Sequence, residues 1–174
     1  PPMYRRQRQM CIRDRLIEHD DVDVIISAIS GFAGLKATYL AASTGKKILL
    51  ANKESIVAGG DLITARAKKF NSKIIPIDSE HNAIFQCLSG QRSPDDVQNI
   101  TITASGGPFI GKKISDLKDV TKDDALNHPN WDMGSKISID SATLVNKCLE
   151  LIEAKYLFDL EESIFAVSYT HLTL

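Results

Sequence analysis

Apolar residues gather in short runs separated by polar, turn-forming stretches. From Val22 to Ile29 the run is nearly continuous and rich in β-branched side chains, the pattern of a strand buried on both faces of a parallel sheet. Ser30-Gly31 reads as a turn. Leu35 to Ser43 is Ala-rich and stops before Gly45, which predicts a helix ended by glycine. Lys47 to Ala51 predicts a second buried strand, completing a βαβ unit. The alternation continues with a helix around Ile56 to Phe70, a strand at Lys73 to Ile77, a short helix from Asn82 to Leu88 and a strand from Val97 to Ala104. An α/β fold with a mostly parallel sheet is the reading.

After Ser105-Gly106-Gly107-Pro108 the texture changes. Phe109 to Met133 is polar, lysine-rich and broken by Pro129, which predicts a mobile loop or flap. Ile137 to Ile139 reads as a brief strand. Ser141 to Tyr156 reads as one amphipathic helix presenting Leu144, Val145, Leu149, Ile152 and Tyr156, with Asp140 or Ser141 as its N-cap. The two ends differ from the middle. Pro1 to Arg15 is rich in Arg and Gln without an amphipathic period, and Val167 to Leu174 stops without a turn or cap. Both are expected to be foreign to the fold.

Composition narrows the function classes. The 174 residues suit one domain, or part of a larger protein. Twenty-one basic against 22 acidic side chains nearly cancel, and no basic run marks a nucleic-acid partner. Cys11, Cys87 and Cys148 lack CxxC spacing, which argues against a disulfide framework or thiolate zinc and favours a reducing compartment. No apolar stretch has the length of a membrane span, and the N-terminal residues lack a secretory signal pattern. A soluble protein without a membrane partner is expected.

In open α/β sheets ligands bind beyond the C-terminal ends of the strands. The residues there are unusually charged: Asn52-Lys53-Glu54 after the second strand, Asp78-Ser79-Glu80-His81 after the third, Ser105-Gly106-Gly107 after the fourth. In an extended segment Asp78 and Glu80 would point to the same side and share one cation. Asn146 and Glu150 lie four residues apart on one helix face. Such hard oxygen ligands suit Mg²⁺ or Mn²⁺ rather than zinc. The plainer reading of a lone D-x-E is a helix cap or a solvated turn. Lys53 beside Glu54 is, on the plainer reading, a surface ion pair. Ser105-Gly106-Gly107 and Ser141 at a helix N-terminus offer a hydroxyl and backbone N–H groups to a phosphate, though loop glycines usually mean only a turn. Lys147 would add a compact positive charge, or simply be solvated. His128-Pro129-Asn130-Trp131 carries the only tryptophan, either as a cover for a ligand or as a buried staple. His81 reads as no more than a helix cap.

From about Asp20 to Ala166 the chain closely resembles the 1-deoxy-D-xylulose 5-phosphate reductoisomerase family. The segments SAISGFAGL, LLANKESIV, IPIDSEHNAIFQCL, TASGGPF and LNHPNWDMGSKISIDSATLVNKCLELIEA carry the resemblance, in the family's order and spacing. It implies an incomplete Rossmann-type sheet, then a catalytic α/β region with a flexible flap. The expected division is a tail over 1–15, the C-terminal part of an NADPH-binding domain over 16–77, a catalytic domain over 78–166 with its flap at about 109–135, and a second tail over 167–174. The resemblance implies rearrangement of 1-deoxy-D-xylulose 5-phosphate and reduction by NADPH to 2-C-methyl-D-erythritol 4-phosphate, in the non-mevalonate route to isoprenoids. Metal falls to Asp78, Glu80 and Glu150. Substrate falls to Lys53, Ser79, Glu80, Ser105, His128, Trp131, Ser141, Asn146, Lys147 and Glu150, with Lys53, Glu80 and His128 taken as catalytic. NADPH falls to Asn52, Glu54, Met133 and Gly134. A homodimer is implied for the full-length enzyme, in the bacterial cytoplasm or a plastid-type organelle.

Departures from the family's pattern bear on activity. No Gly-rich turn of the type GxTGSxG precedes Asp20, Ser135 stands where a basic residue is common, and Cys148 where glycine is common. The expectation is a chain inactive on its own as a reductase. The competing reading is a non-catalytic binding or dimerisation module on the same scaffold. Against it stands the gathering of carboxylate, lysine and phosphate-holding groups, which a pure scaffold does not need.

Overall fold

A computed structural model describes residues 12–90, 96–127 and 134–168. His128, Trp131 and Met133 lie outside the described residues. The chain divides into two compact units, one comprising the chain up to Asp96 together with Ile152–Leu160, the other Val97–Leu151 with the chain from Glu161 onward.

The first unit is built on three parallel strands, β1 (Val24–Ser27), β2 (Lys47–Leu50) and β3 (Lys73–Pro76), in the order β1-β2-β3. Val24 stands opposite Lys47, and Lys47 opposite Lys73. A helix α1 covers residues 12–18. Between and after the strands come α2 (Leu35–Ala41), α3 (Lys53–Phe70) and α4 (Ser79–Leu88). Ile48 and Leu50 of β2, two residues apart and so on one face, meet Ile56, Ile63 and Ala67 of α3, Ala41 and Ala42 at the end of α2, and Ile17. Burial of each large aliphatic side chain contributes about 1.5–3 kcal/mol, so this cluster anchors the sheet. Residues 12–15, placed by the sequence in a tail, open α1, which docks through Ile17 and through the Asp14–Lys36 pair at 3.1 Å. One docked apolar side chain is too few to leave a period in the sequence.

Three buried hydroxyls tie the layers together. Ser27 Oγ lies 2.6 Å from Thr38 Oγ1, which also bonds the Gly34 carbonyl at 3.0 Å and Ser55 Oγ at 3.3 Å. Each of these three hydroxyls thus has a partner, as burial demands. From the C-terminal part of α7 (Val145–Phe158), Tyr156 and Leu157 pack against the core of this unit. A Cβ on Gly60 would come within 2.4 Å of the Tyr156 ring, so only a bare backbone lets the ring lie where it does.

The second unit holds a parallel strand pair, β4 (Ile100–Thr103) and β5 (Phe165–Ser168), with α5 (Lys122–Leu126) and α6 (Ser135–Ala142). The expected loop after Phe109 contains a 3-10 turn at Ile114–Leu117 and the capped helix α5. Thr121 Oγ1 accepts from the Asp124 N–H at 3.3 Å while Asp124 accepts from the Thr121 N–H at 2.8 Å, the reciprocal cap that starts a helix regardless of hydrophobic period. Ile137–Ile139 is helix rather than strand. The Lys136–Asp140 pair at 2.5 Å, four residues apart, supports α6, and a three-residue alternation is too short to outweigh it. The single helix expected over Ser141–Tyr156 is two, because Leu144 adopts a left-handed φ of 62° that interrupts the spiral. Ser141 therefore sits in the last turn of α6 rather than at an N-cap.

The compact units part after Asp96, whereas the sequence division falls after Ile77. The physical reason is that α4 stays with the strand preceding it: Asn82 Nδ2 donates to the Pro76 carbonyl at 2.8 Å.

Candidate metal and substrate site

In the first unit the N-termini of α3 and α4 follow the C-terminal ends of β2 and β3, where positive helix ends and exposed N–H groups favour anions and polar ligands. Asn52 caps α3: its Oδ1 accepts from the Ser55 N–H at 2.7 Å. Its amide N–H₂ donates to the carbonyls of Ile29 and, at 3.0 Å, of Gly31. The side chain is 1 % exposed, and it clasps the turn after β1 to α3. Lys53 and Glu54 follow in the first turn, both partly exposed.

Asp78 caps α4 in the same manner. Its Oδ1 accepts from the His81 backbone N–H at 2.8 Å and lies 2.7 Å from His81 Nδ1. Among the described residues Oδ2 accepts no hydrogen bond. Burial raises the pKa of this carboxyl, but the hydrogen bonds from the His81 ring and backbone, with the charges of His81 and Lys53, outweigh it and hold the group below its ordinary value. Ser79 Oγ donates to Glu80 Oε2 at 2.5 Å. The extended geometry expected for Asp78–Glu80 holds at Asp78 alone, which caps α4 with extended φ/ψ, while Glu80 lies in the first helical turn. The two acids share the start of a helix, and the same-side argument for them lapses.

The residue that the sequence reading passed over is His81. It is fully buried, with its ring stacked on Phe158 at 6.4 Å between centroids and 17° between planes. Glu153, also buried, brings Oε2 to 3.5 Å from His81 Nδ1. Asp78, His81 and Glu153 present ligand-type atoms within 4.8 Å of one another. A signal for this existed: Glu153 is an acid among Leu149, Ile152 and Tyr156 on the predicted apolar helix, and an unexplained charge there asks for a partner.

In the second unit, Gly107 has a φ of +66°, and a Cβ on it would meet the Ser141 carbonyl oxygen at 3.0 Å and Ala142 Cα at 3.2 Å. The Ser105–Gly107 loop thus lies against the last turn of α6, bringing together two segments assigned to phosphate, with Ser105 exposed and Ser141 partly so. Gly134 precedes α6, and its carbonyl accepts from the Ser138 N–H at 3.1 Å. On α7, Glu150 is buried and doubly engaged: Asn146 Nδ2 donates to Oε1 and Lys147 Nζ to Oε2, each at 2.6 Å. Lys147, expected to face a phosphate, is here a nearly buried partner of an acid expected to face a metal.

The profile described as "1-deoxy-D-xylulose 5-phosphate reductoisomerase" matches residues 9–60, and that of the C-terminal domain of the same enzyme matches residues 74–158. The 1-deoxy-D-xylulose 5-phosphate reductoisomerase of Francisella tularensis subsp. novicida is 56 % identical over 140 residues, 79 % of this chain and 36 % of that protein. That of Ruminiclostridium cellulolyticum is 54 % identical over 144 residues, covering 83 % and 38 %. A crystal structure of DOX-P reductoisomerase in complex with NADPH, fosmidomycin and magnesium superposes with a TM-score of 0.80 at 49 % identity, covering 89 % of this chain and 40 % of that one. The Zymomonas mobilis enzyme in complex with NADPH gives 0.82 at 43 %, covering 90 % and 40 %. The chain therefore spans less than half the length of these relatives. Identity near one residue in two, sustained through both profiles and joined to a shared fold, leaves one conclusion: the chain belongs to the 1-deoxy-D-xylulose 5-phosphate reductoisomerase family.

Proposed function

We propose that the whole protein is an NADPH-dependent reductoisomerase converting 1-deoxy-D-xylulose 5-phosphate to 2-C-methyl-D-erythritol 4-phosphate, and that this chain carries its metal- and substrate-binding residues. The carrying observation is Asp78, an ionised carboxylate fixed through Oδ1 alone and so ready to give Oδ2 to a cation. Support comes from the relative whose structure holds NADPH, fosmidomycin and magnesium. The donor chemistry fits a hard divalent ion: Asp78, Glu80 and Glu150 offer carboxylate oxygens only, the choice of Mg²⁺ or Mn²⁺. The bound ion supplies Lewis acidity to neighbouring oxygens of the substrate.

The chain's own residues do the rest. Lys53, at the start of α3 and near enough to Asp78 to lower its pKa, brings positive charge beside the reacting oxygens. Ser79 and Glu80 hold the substrate backbone, while Ser105, Ser141, Asn146 and Lys147 hold its phosphate. That anchor supplies remote binding energy which orients the reacting carbons. To hold the phosphate, Lys147 would leave Glu150, whose carboxylate would then be open to a divalent ion. His128 and Trp131 are assigned to the substrate. Asn52, Glu54, Met133 and Gly134 are assigned to NADPH, with Asn52 acting through the turn it clasps. The full-length protein is a cytoplasmic or plastid homodimer.

Among the described residues no helix is long and apolar enough to cross a membrane. The test is a Mn²⁺ titration followed by the spectrum of the free ion. One site lost in Asp78→Asn is expected. No site in the wild-type chain, or a site indifferent to Asp78→Asn, contradicts the reading.

A further inference from the structure

The use of Asp78 as a ligand leaves unexplained a buried histidine and a buried glutamate behind it. His81 is 0 % exposed and Glu153 1 %. Taking two ionisable side chains out of water costs several kcal/mol each unless the groups are paired, so their burial calls for a use. Three ligand-type atoms within 4.8 Å suggest a chelate, but the geometry speaks for a hydrogen bond. Oδ1 of Asp78 accepts the His81 backbone N–H at 2.8 Å, and the 2.7 Å contact to Nδ1 suits the tautomer whose ring N–H donates to the same oxygen. A nitrogen bearing that proton has no lone pair for a metal. Glu153 Oε2, 3.5 Å from the same nitrogen, favours charge density of that sign there, and Phe158 stacks on the ring and fixes its plane.

We propose that Glu153 and His81 are positioning residues for the metal site: together they hold Oδ1 of Asp78 so that Oδ2 faces the cation. This rests on the reading of Asp78 as a metal ligand. Two donors from one residue, backbone N–H and ring N–H, converge on a single carboxylate oxygen. Rotation about the Cβ–Cγ bond would break both, so the carboxylate is held in one orientation before any ion arrives. Groups that orient ligands in this way typically change metal affinity by about 10–100-fold when removed. The strut is seated in turn by α7, whose Tyr156 lies on the bare backbone of Gly60, one helical turn beyond Glu153.

The experiment is a Mn²⁺ titration of the full chain and four variants, with circular dichroism to establish folding. His81→Phe keeps an aromatic ring against Phe158 and removes the donor. His81→Asn keeps a donor near the Nδ1 position. Glu153→Gln keeps the shape and removes the charge. Asp78→Asn tests the underlying reading. The expected result is a 10–100-fold weaker dissociation constant for His81→Phe and Glu153→Gln, near wild-type affinity for His81→Asn, and loss of the site in Asp78→Asn. Wild-type affinity in folded His81→Phe and Glu153→Gln, with the site still lost in Asp78→Asn, overturns the positioning role and leaves the metal reading standing. Equal weakening in His81→Phe and His81→Asn also overturns it, since the donor would then be irrelevant. An unaltered site in Asp78→Asn removes the metal reading itself. Should His81→Phe fail to fold, Glu153→Gln against His81→Asn decides.

Discussion

Two acids assigned to the same ion are kept in opposite ways. Asp78 of the first unit is gripped through one oxygen by a buried histidine, and its other oxygen has no hydrogen bond among the described residues. Glu150 of the second unit has both oxygens engaged, one by Asn146 and one by the Lys147 ammonium. On the proposed reading the first would be a ligand prepared in advance. The second would be a ligand whose charge is covered by Lys147 until an ion takes that place, since a buried carboxylate without a cation is costly. Affinity would gain from the first arrangement, while the second would couple metal and phosphate to each other.

The contrast is broken most severely at Lys147. Lys147→Met takes the ammonium away from Oε2 of the buried Glu150, and removing one partner of a buried pair costs about 3 kcal/mol. Chemical denaturation in EDTA reads that loss. Saturating Mn²⁺ should restore a larger part of stability to the variant than it adds to the wild type, because the ion replaces the missing charge. Equal metal-induced gains would mean that Lys147 does not stand in for a cation.

Next comes Gly60→Ala, where the new methyl collides with the Tyr156 ring at 2.4 Å. Overpacking of this kind costs about 2 kcal/mol, and the shift of α7 should loosen Mn²⁺ binding through Glu153. A destabilised variant that binds Mn²⁺ as the wild type does would detach the α7 seat from the site. Asn52→Ala removes the α3 cap and leaves the Ile29 and Gly31 carbonyls without its amide. Thermal unfolding should register about 1.5 kcal/mol, with Mn²⁺ affinity unchanged.

The sequence was most informative where hydrophobic period and sheet layer agree. The runs at Val22–Ile29, Lys47–Ala51 and Lys73–Ile77 appear as three parallel strands in sequence order. The chemistry at strand ends was legible for the same reason, since Asn52 and Asp78 both occupy helix starts there. What escaped depends on tertiary partners. His81 becomes more than a helix residue only when Glu153 and Phe158, far along the chain, pack behind it. The Leu144 break splits an otherwise continuous amphipathic pattern by one backbone angle, which no periodicity records. The pairing of Lys147 with Glu150 escaped as well, because a helical lysine three residues before a glutamate does not reveal how deeply both are buried.

The smallest effect belongs to the second unit away from either acid. Thr121→Ala removes one half of the α5 cap and should cost about 0.5 kcal/mol. Its partner Asp124 is held below the ordinary carboxylate range by hydrogen bonds from the Thr121 side chain and backbone. A depressed folded value means that this contribution is present above the unfolded carboxylate range and lost as pH falls through the folded value. The stability difference between wild type and Thr121→Ala should therefore shrink in acid. A difference independent of pH would show that the cap does not form.

The central claim is that this chain contains the residues that join a divalent ion to a sugar phosphate. Calorimetric titration with 1-deoxy-D-xylulose 5-phosphate, with Mg²⁺ and then with EDTA, tests it directly. The account predicts binding that strengthens at least about tenfold with Mg²⁺, a coupling of about 1.4 kcal/mol, and that this gain is absent in Asp78→Asn. Binding of equal strength in EDTA, or no binding under either condition, would contradict it.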